Sequence, residues 1–495
     1  MIDNTVAELA SLIEAQVELD GSAPDPAMLE ANVTDLVYDS RNAKPGSLFV
    51  AFVGEHVDGH EYAERAIRAG AVAAITAHPV PGVLCLVVPD PLSAMGLIGR
   101  HVIKIAKQAH PGSDGRDHEG LRVIGITGSA GKTTTKDLLA QILERVSAVV
   151  APRESMNNEI GLPTTASWVT ADTDYLIAEM GAKGLGHIRY LCEITPPDIG
   201  LELNVGRAHL GTFGSQDAIA QTKGELVETL PTDGVAVLNA GDPRVWAMRA
   251  RTTAKVISFA VDGDDLPADL GDAELPDVYA ADLVPDDLDR WGFELRLGAA
   301  VGAVQLRILG KHQVGNAVAA AAAAFAAGVA PSVIIDTLNE VGTRSHWRME
   351  LHQLDSGAAL INDAYNANPV SVTAALATLA RIGRNRKADR PQARTVAVLG
   401  EMLELGETSE QLHTEVGAAL VELGVDRLIT IGSGADPIRA GALAAGLDPG
   451  AASGVPDKRD AVELLADLRA GDVVLIKASR DVGLETISEQ LLGAG

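Results

Sequence analysis

An apolar run, Val123-Ile124-Gly125-Ile126-Thr127, leads into Gly128-Ser129-Ala130-Gly131-Lys132-Thr133-Thr134-Thr135-Lys136 and then into an amphipathic stretch. This order of residue types suits phosphate chemistry. Glycines let backbone N–H groups curl around anionic oxygens, and the following helix aims its positive end at them. Lys132 adds a cation and Thr133 a hydroxyl for magnesium. Gly128, Ser129, Ala130, Gly131, Lys132, Thr133 and Thr134 therefore form the expected cradle for a nucleoside triphosphate. The longer P-loop pattern needs glycine where Ile126 stands, so only the short Gly-x-x-Gly-Lys-Thr form is present. A plain strand-to-helix turn with a solvated lysine is the competing reading.

Two further residues stand just after apolar runs, where the carboxyl edge of a parallel sheet would collect them beside the phosphates. Glu179 closes Tyr175 to Ala178, and His209 follows Asn204-Val205-Gly206. Each alone suits a structural role. Together with Thr133 they read as a Mg²⁺ site. Lys223, in Gln221-Thr222-Lys223-Gly224-Glu225, reads on composition as a solvated helix lysine. Arg348, in His346-Trp347-Arg348-Met349-Glu350, suits a surface arginine and a cation closing over phosphates equally well. The segment Ala364 to Ser371 is dense in amides and reads as a plain turn or as a ribose and phosphate contact.

These groups need a scaffold, and the chain is long enough for several. At about 150 residues per domain, 495 residues suggest about three domains. Residues 1 to about 110 alternate short strands (Ser47 to Val53, Ala71 to Thr76, Leu84 to Val88) with helices, ending in the helix Leu92 to Gln108. Met1 to Asp20 reads as an ordinary helix. A polar Gly- and Asp-rich linker from 109 to 120 follows. Residues 121–343 alternate strands (Arg122 to Thr127, Tyr175 to Glu179, Ile199 to Asn204, Val235 to Asn239) with helices, the pattern of a parallel sheet wound on both faces. Between about Lys255 and Leu309 strict alternation predicts a small antiparallel appendage. After the helix Gly315 to Ala327, residues 344–495 repeat the α/β theme with strands Leu360 to Asn362, Thr395 to Leu399, Arg427 to Ile431 and Val473 to Lys477.

The formal net charge is −27, with 67 acidic and 40 basic residues, so nucleic acid and anionic membranes would be repelled. Anionic substrates must meet local positive sites. Cys85 and Cys192 each lie in an apolar run and read as small buried hydrophobes. No signal segment opens the chain and no apolar run reaches about 20 residues, which points to the cytoplasm without membrane insertion.

In order and spacing these phrases resemble the Mur ligases of peptidoglycan precursor synthesis. The resemblance runs from Asp39-Ser40-Arg41 through the 128–136 loop, Asn157-Asn158-Glu159-Ile160-Gly161-Leu162-Pro163, Glu179-Met180-Gly181-Ala182, Ala208-His209-Leu210, Lys223-Gly224-Glu225, Gly310 to Asn316 and Asn362 to Pro369, to Ile476-Lys477-Ala478-Ser479-Arg480. It implies an α/β, three-domain architecture with a central P-loop parallel-sheet ATP-binding domain and a Rossmann-like C-terminal domain. The implied activity is ATP-dependent addition of D-alanyl-D-alanine to UDP-N-acetylmuramoyl-tripeptide, through an acyl phosphate, by a monomer. A sister ligase adding a single amino acid and a non-catalytic precursor sensor are the alternatives.

The resemblance also implies roles. Lys132 and Thr133 would hold the ATP phosphates and Mg²⁺, with Glu179 and His209 completing the metal site. Asn316 would face adenine, with Arg348, Asp363 and Asn366 near phosphates and ribose. Lys223 would carry a carbamate supporting a second Mg²⁺. Ser40 and Arg41 would lie near the UDP nucleotide, and Asn157 and Asn158 near the muramoyl-peptide. Gln313, Gly241 and Ala478 depart from the common pattern.

Overall fold

The computed structural model describes residues 1–495 except 3, 55–56, 110–119, 153, 207–212, 271–274 and 494–495. Three α/β sheets follow one another along the chain. The first has five strands in the order Gln16–Glu18, Cys85–Val87, Ala73–Thr76, Ser47–Val50, Asp35–Val37, parallel except for the first pair. The expected helix over the first 20 residues is shorter. It spans Val6–Leu12 and stops because Glu14 takes a left-handed φ of 51°, after which the chain becomes an edge strand.

The central sheet has nine strands. Its order is Ala300–Leu309, Arg290–Leu297, Val278–Pro285, Lys255–Val261, Val235–Asn239, Ile199–Glu202, Arg122–Thr127, Tyr175–Glu179, Val149–Val150. The residues expected to form a separate antiparallel appendage belong to this sheet. Lys255–Val261 and Val278–Pro285 extend it in parallel, and only the last two strands turn antiparallel. The hairpin thus covers an edge that would otherwise expose unpaired backbone. Arg290–Leu297 keeps the alternating burial its sequence predicts.

The alanine-rich helix His312–Ala326 is buried along most of its length and joins the core of this sheet together with the P-loop helix Lys132–Leu143. Small side chains permit that close approach. The opposite face merges with the first sheet. Helix Pro91–Ala109 supplies Met95, Ile98 and Val102 to a core that also takes Leu162, Leu176 and Leu191. Lys107 near its end pairs with Asp198 at 2.8 Å, and Asp198 also accepts the Val123 N–H at 2.7 Å.

The third sheet has the order Glu350–Gln353, Ala359–Asn362, Val473–Lys477, Thr395–Leu399, Arg427–Ile431, Ala452–Val455, parallel except for the first pair. Val473–Lys477 is buried throughout, as a central parallel strand must be. Both cysteines are free and buried, and burial pushes the Cys192 thiol up to about 12. Among the described residues no helix is long and apolar enough to cross a membrane.

Candidate active site

Three adjacent strands of the central sheet end together at its carboxyl edge, because Ile126 pairs in register with Glu179 and Thr127 with Glu202. The chain leaves the middle strand at Gly128. Gly131, at φ 87°, begins the P-loop helix, and a Cβ there would collide with the Asn316 amide. Only glycine allows both. The loop tip is braced by Asn204, whose Oδ1 accepts the Ala130 N–H at 3.0 Å while its backbone oxygen accepts the Ser129 N–H at 3.0 Å. Lys132 lies across the loop with Nζ 2.8 Å from the Gly128 carbonyl. Burial pushes its ammonium down from the ordinary lysine value; Glu179 opposes that shift and Arg348 adds to it.

Glu179 is buried, and Ser155 and Asn157 donate to its Oε1 at 2.6 and 2.9 Å. Its Oε2 is buried with no hydrogen-bond partner among the described residues. Burial alone would raise this carboxyl; Lys132, Lys136, the Ser155 hydroxyl and Arg348 outweigh it and hold the group below the usual range. An ionised oxygen without a donor, near the Thr133 hydroxyl, is the hard-oxygen donor set that Mg²⁺ takes. Glu179 and Thr133 therefore fit such an ion. His209 lies outside the described residues.

Arg348 reaches this site from the start of the third unit. Its Nη2 donates to Thr133 Oγ1 at 3.0 Å and its guanidinium stacks over Tyr365 at 4.0 Å. Trp347 and Met349, on either side, hold left-handed φ values of 59° and 53°. Non-glycine residues rarely adopt this conformation, and the pair marks a locally strained segment that projects the arginine into the cleft. Asp363 pairs with Lys477 at 2.5 Å, and Lys477 also donates to the Asn366 carbonyl at 2.8 Å.

Lys223 is not the solvated lysine that composition suggests. It is buried at the end of Gln216–Lys223, its Nζ 3.5 Å from Thr127 Oγ1. Burial, with Lys132 nearby, pushes its amine toward the neutral form, against the pull of Glu202. Glu225 of the same phrase accepts the Gly186 and Arg189 N–H groups at 2.6 and 3.0 Å, capping the helix His187–Ile194.

Lys132, Thr133, Asn157, Asn158, Glu179, Lys223, Asn316, Arg348, Asp363 and Asn366 all line one cleft of about 1240 Å³ between the second and third sheets. Asn158 also accepts the Gly161 N–H at 2.8 Å, so part of its polar capacity shapes the turn. Ser40 and Arg41 are not among the lining residues. Ser40 is buried, and Arg41 projects into solvent and pairs with Asp39 at 2.5 Å.

Ser155, Asn204 and Glu202 were missed as site residues. Glu202 is wholly buried, and neither carboxyl oxygen has a hydrogen-bond partner among the described residues; burial raises its carboxyl well above the usual range. An acid within the apolar run Ile199 to Leu203 was the available signal. Asp58, His60 and His78 also bring ligand atoms within 4.8 Å of one another. Both His60 nitrogens are engaged, Nδ1 with Asp58 at 2.6 Å and Nε2 accepting the Ala77 N–H at 2.9 Å, so this group braces the first sheet.

The Mur ligase middle domain matches residues 126–324, the Mur ligase glutamate ligase domain residues 347–480, and the Mur ligase family catalytic domain residues 32–89. The chain is 42% identical to the UDP-N-acetylmuramoyl-tripeptide--D-alanyl-D-alanine ligase of Mycobacterium leprae, over 100% of this chain and 99% of the relative. A crystal structure of MurF from Acinetobacter baumannii superposes with a TM-score of 0.81 at 28% identity, covering 99% of both chains. The MurF ligase of Thermotoga maritima in complex with ADP superposes with a TM-score of 0.74 at 26% identity, covering 95% of this chain and 99% of that one. With a P-loop sheet, a second α/β unit that closes an arginine over it, and matches along nearly its whole length, the chain belongs to the Mur ligase family.

Proposed function

We propose that this chain is an ATP-dependent amide ligase that joins D-alanyl-D-alanine to UDP-N-acetylmuramoyl-tripeptide, giving the pentapeptide precursor of peptidoglycan. The observation that carries the reading is the meeting, in one cleft, of the Lys132 loop, the buried Glu179 carboxylate, whose Oε2 has no partner among the described residues, and Arg348 from the third unit. Residues 1–110 bind the UDP-sugar, residues 121–343 bind ATP, and residues 344–495 receive the dipeptide. The protein works in the cytoplasm as a monomer.

A carboxylate is a poor acyl donor because its leaving group would be oxide. The tripeptide's terminal carboxylate first attacks the γ-phosphorus of ATP, ADP departs, and an acyl phosphate forms. The dipeptide amine then attacks the acyl carbon, phosphate leaves, and the amine proton is lost to solvent. Lys132 and the loop N–H groups hold the phosphates, and Arg348 meets the charge that develops on the transferred group. Glu179 and Thr133 would hold Mg²⁺, which would withdraw charge from the phosphate oxygens. Asn157 places the muramoyl-peptide, while Asn316 faces adenine and Asp363 and Asn366 face the ribose. Closure of the third unit excludes water from the acyl phosphate.

The Lys223 amine, shifted toward neutrality in its buried site, is suited to take up CO₂ as a carbamate that supports a second Mg²⁺. The test is ADP release with ATP, Mg²⁺ and UDP-N-acetylmuramoyl-tripeptide, comparing D-alanyl-D-alanine with single amino acids as acceptor. Dipeptide-dependent release with a product one dipeptide residue heavier is expected. Turnover only with a single amino acid would move the chain to a sister ligase, and none with any acceptor would leave a sensor.

A further inference from the structure

Two charged residues of the P-loop helix, Lys136 and Asp137, are not among the residues that line the cleft. Lys136 is wholly buried; its Nζ donates to the Pro152 carbonyl and, at 3.4 Å, to the Glu154 carbonyl, and it pairs with Asp137 Oδ1 at 3.0 Å. The Glu154 carbonyl immediately precedes Ser155, which with Asn157 holds Glu179. Asp137, also buried, uses its other oxygen to accept the N–H groups of Arg344 at 3.1 Å and Ser345 at 2.8 Å.

The same helix grips this segment twice more. Gln141 donates to the Gly342 carbonyl at 2.7 Å, and Glu144 takes both Nη groups of Arg344 at 2.6 and 2.5 Å. Positions 137, 141 and 144 share one helix face, so 342–345 is fastened along it. Three residues after Ser345 the chain reaches Arg348. A buried ion pair is a weak device for stability, because desolvating two charges costs as much as their attraction returns, and an apolar pair would serve a core as well. Its use here points to position.

We propose that Lys136 and Asp137 are a positioning pair that aligns the P-loop with the two groups facing it. Lys136 sets the Glu179 carboxylate through Ser155 and Asn157, and Asp137 sets Arg348 through Arg344 and Ser345. One rigid helix thus fixes the phosphate loop, the metal-side carboxylate and the closing arginine in a common frame. The proposal rests on the nucleotide reading of the cleft.

The test measures ADP affinity of the full chain by calorimetry with and without Mg²⁺. Lys136→Met keeps its metal-free affinity within about threefold, because Lys132 and the loop are intact, yet loses about tenfold or more of the gain that Mg²⁺ brings. Ser155→Ala shows the same loss, and the two together lose no more than either alone, as members of one relay do. If Lys136→Met does not fold, Lys136→Met with Asp137→Asn leaves no uncompensated buried charge and must show the same loss. In Asp137→Asn, amide hydrogen exchange of residues 344–349 speeds by about tenfold, and in Ser155→Ala it does not.

A full Mg²⁺ gain in the variants, additive losses, or unchanged exchange at 344–349 in Asp137→Asn would overturn the positioning role and leave the nucleotide reading standing. Failure of ADP to bind the parent protein at any Mg²⁺ level would overturn both.

Discussion

Arg348→Ala should separate the catalytic use of this arginine from its part in the fold. The side chain donates one hydrogen bond to Thr133 and stacks on Tyr365. A hydrogen bond from a charged donor contributes about 1.5–3 kcal/mol and an exposed cation–π stack about 0.5–1 kcal/mol. Contacts present equally in the ground state cancel from the barrier. The part that counts is the loss of a preorganised donor aimed at the transferring phosphoryl group, about 2.7–4 kcal/mol. At about 1.4 kcal/mol per decade, kcat falls about 100- to 1000-fold. Arg348→Lys restores charge without the planar stack and recovers about tenfold at most.

The assay is steady-state ADP release at saturating ATP, tripeptide substrate and dipeptide, with thermal unfolding as the control. Nε has no partner among the described residues, so the fold loses only the Thr133 hydrogen bond and the Tyr365 stack, and Tm moves by no more than about 4 °C. Activity of Arg348→Ala within about threefold of the parent would refute the reasoning and reduce the Thr133 contact to a consequence of packing.

Three other outcomes follow from the same geometry. Lys223→Ala abolishes turnover and regains part of it with added short carboxylates; full activity without them would remove Lys223 from metal support. Glu202 has its pKa raised by burial, so the native state holds a proton that the unfolded chain releases, and this contribution to stability is lost as pH rises out of the usual carboxylate range. Lys223, with its pKa lowered, contributes in the opposite sense. Glu202→Gln removes the first effect, so in urea unfolding its gain over the parent must grow between about pH 5 and about pH 8.5; a gain independent of pH would count against a raised carboxyl. Gly131→Ala forces a left-handed alanine, costing about 1–2 kcal/mol before its collision with Asn316, and ADP affinity should fall by about 100-fold or more. Unchanged affinity would mean that the loop does not hold the phosphates.

The strands that carry the cleft were legible wherever an apolar run ended cleanly. Arg122–Thr127, Tyr175–Glu179, Val235–Asn239, Thr395–Leu399, Arg427–Ile431 and Val473–Lys477 stand where the sequence predicts. Periodicity failed where pairing decides the outcome. The stretch from Lys255 to Leu309 reads as strands in either case, but only contact with Val235–Asn239 makes it part of the central sheet. The first 20 residues read as helix because one left-handed residue, Glu14, leaves no pattern in composition.

What the sequence determined by itself was local: a glycine-rich turn before a helix, acids and amides placed after strands, and the alanines that let a helix pack closely. Those features depend on neighbours within a few residues, so they can be read along the chain. The tertiary structure decided which charges are buried and what they face. Lys223 and Lys136 look like ordinary helix lysines until the sheet edge and the Pro152 and Glu154 carbonyls enclose them. Arg348 looks like a surface arginine until it meets Thr133, 215 positions earlier. Desolvation and long-range pairing set the charge state and aim of these groups, and both arise only when distant segments meet.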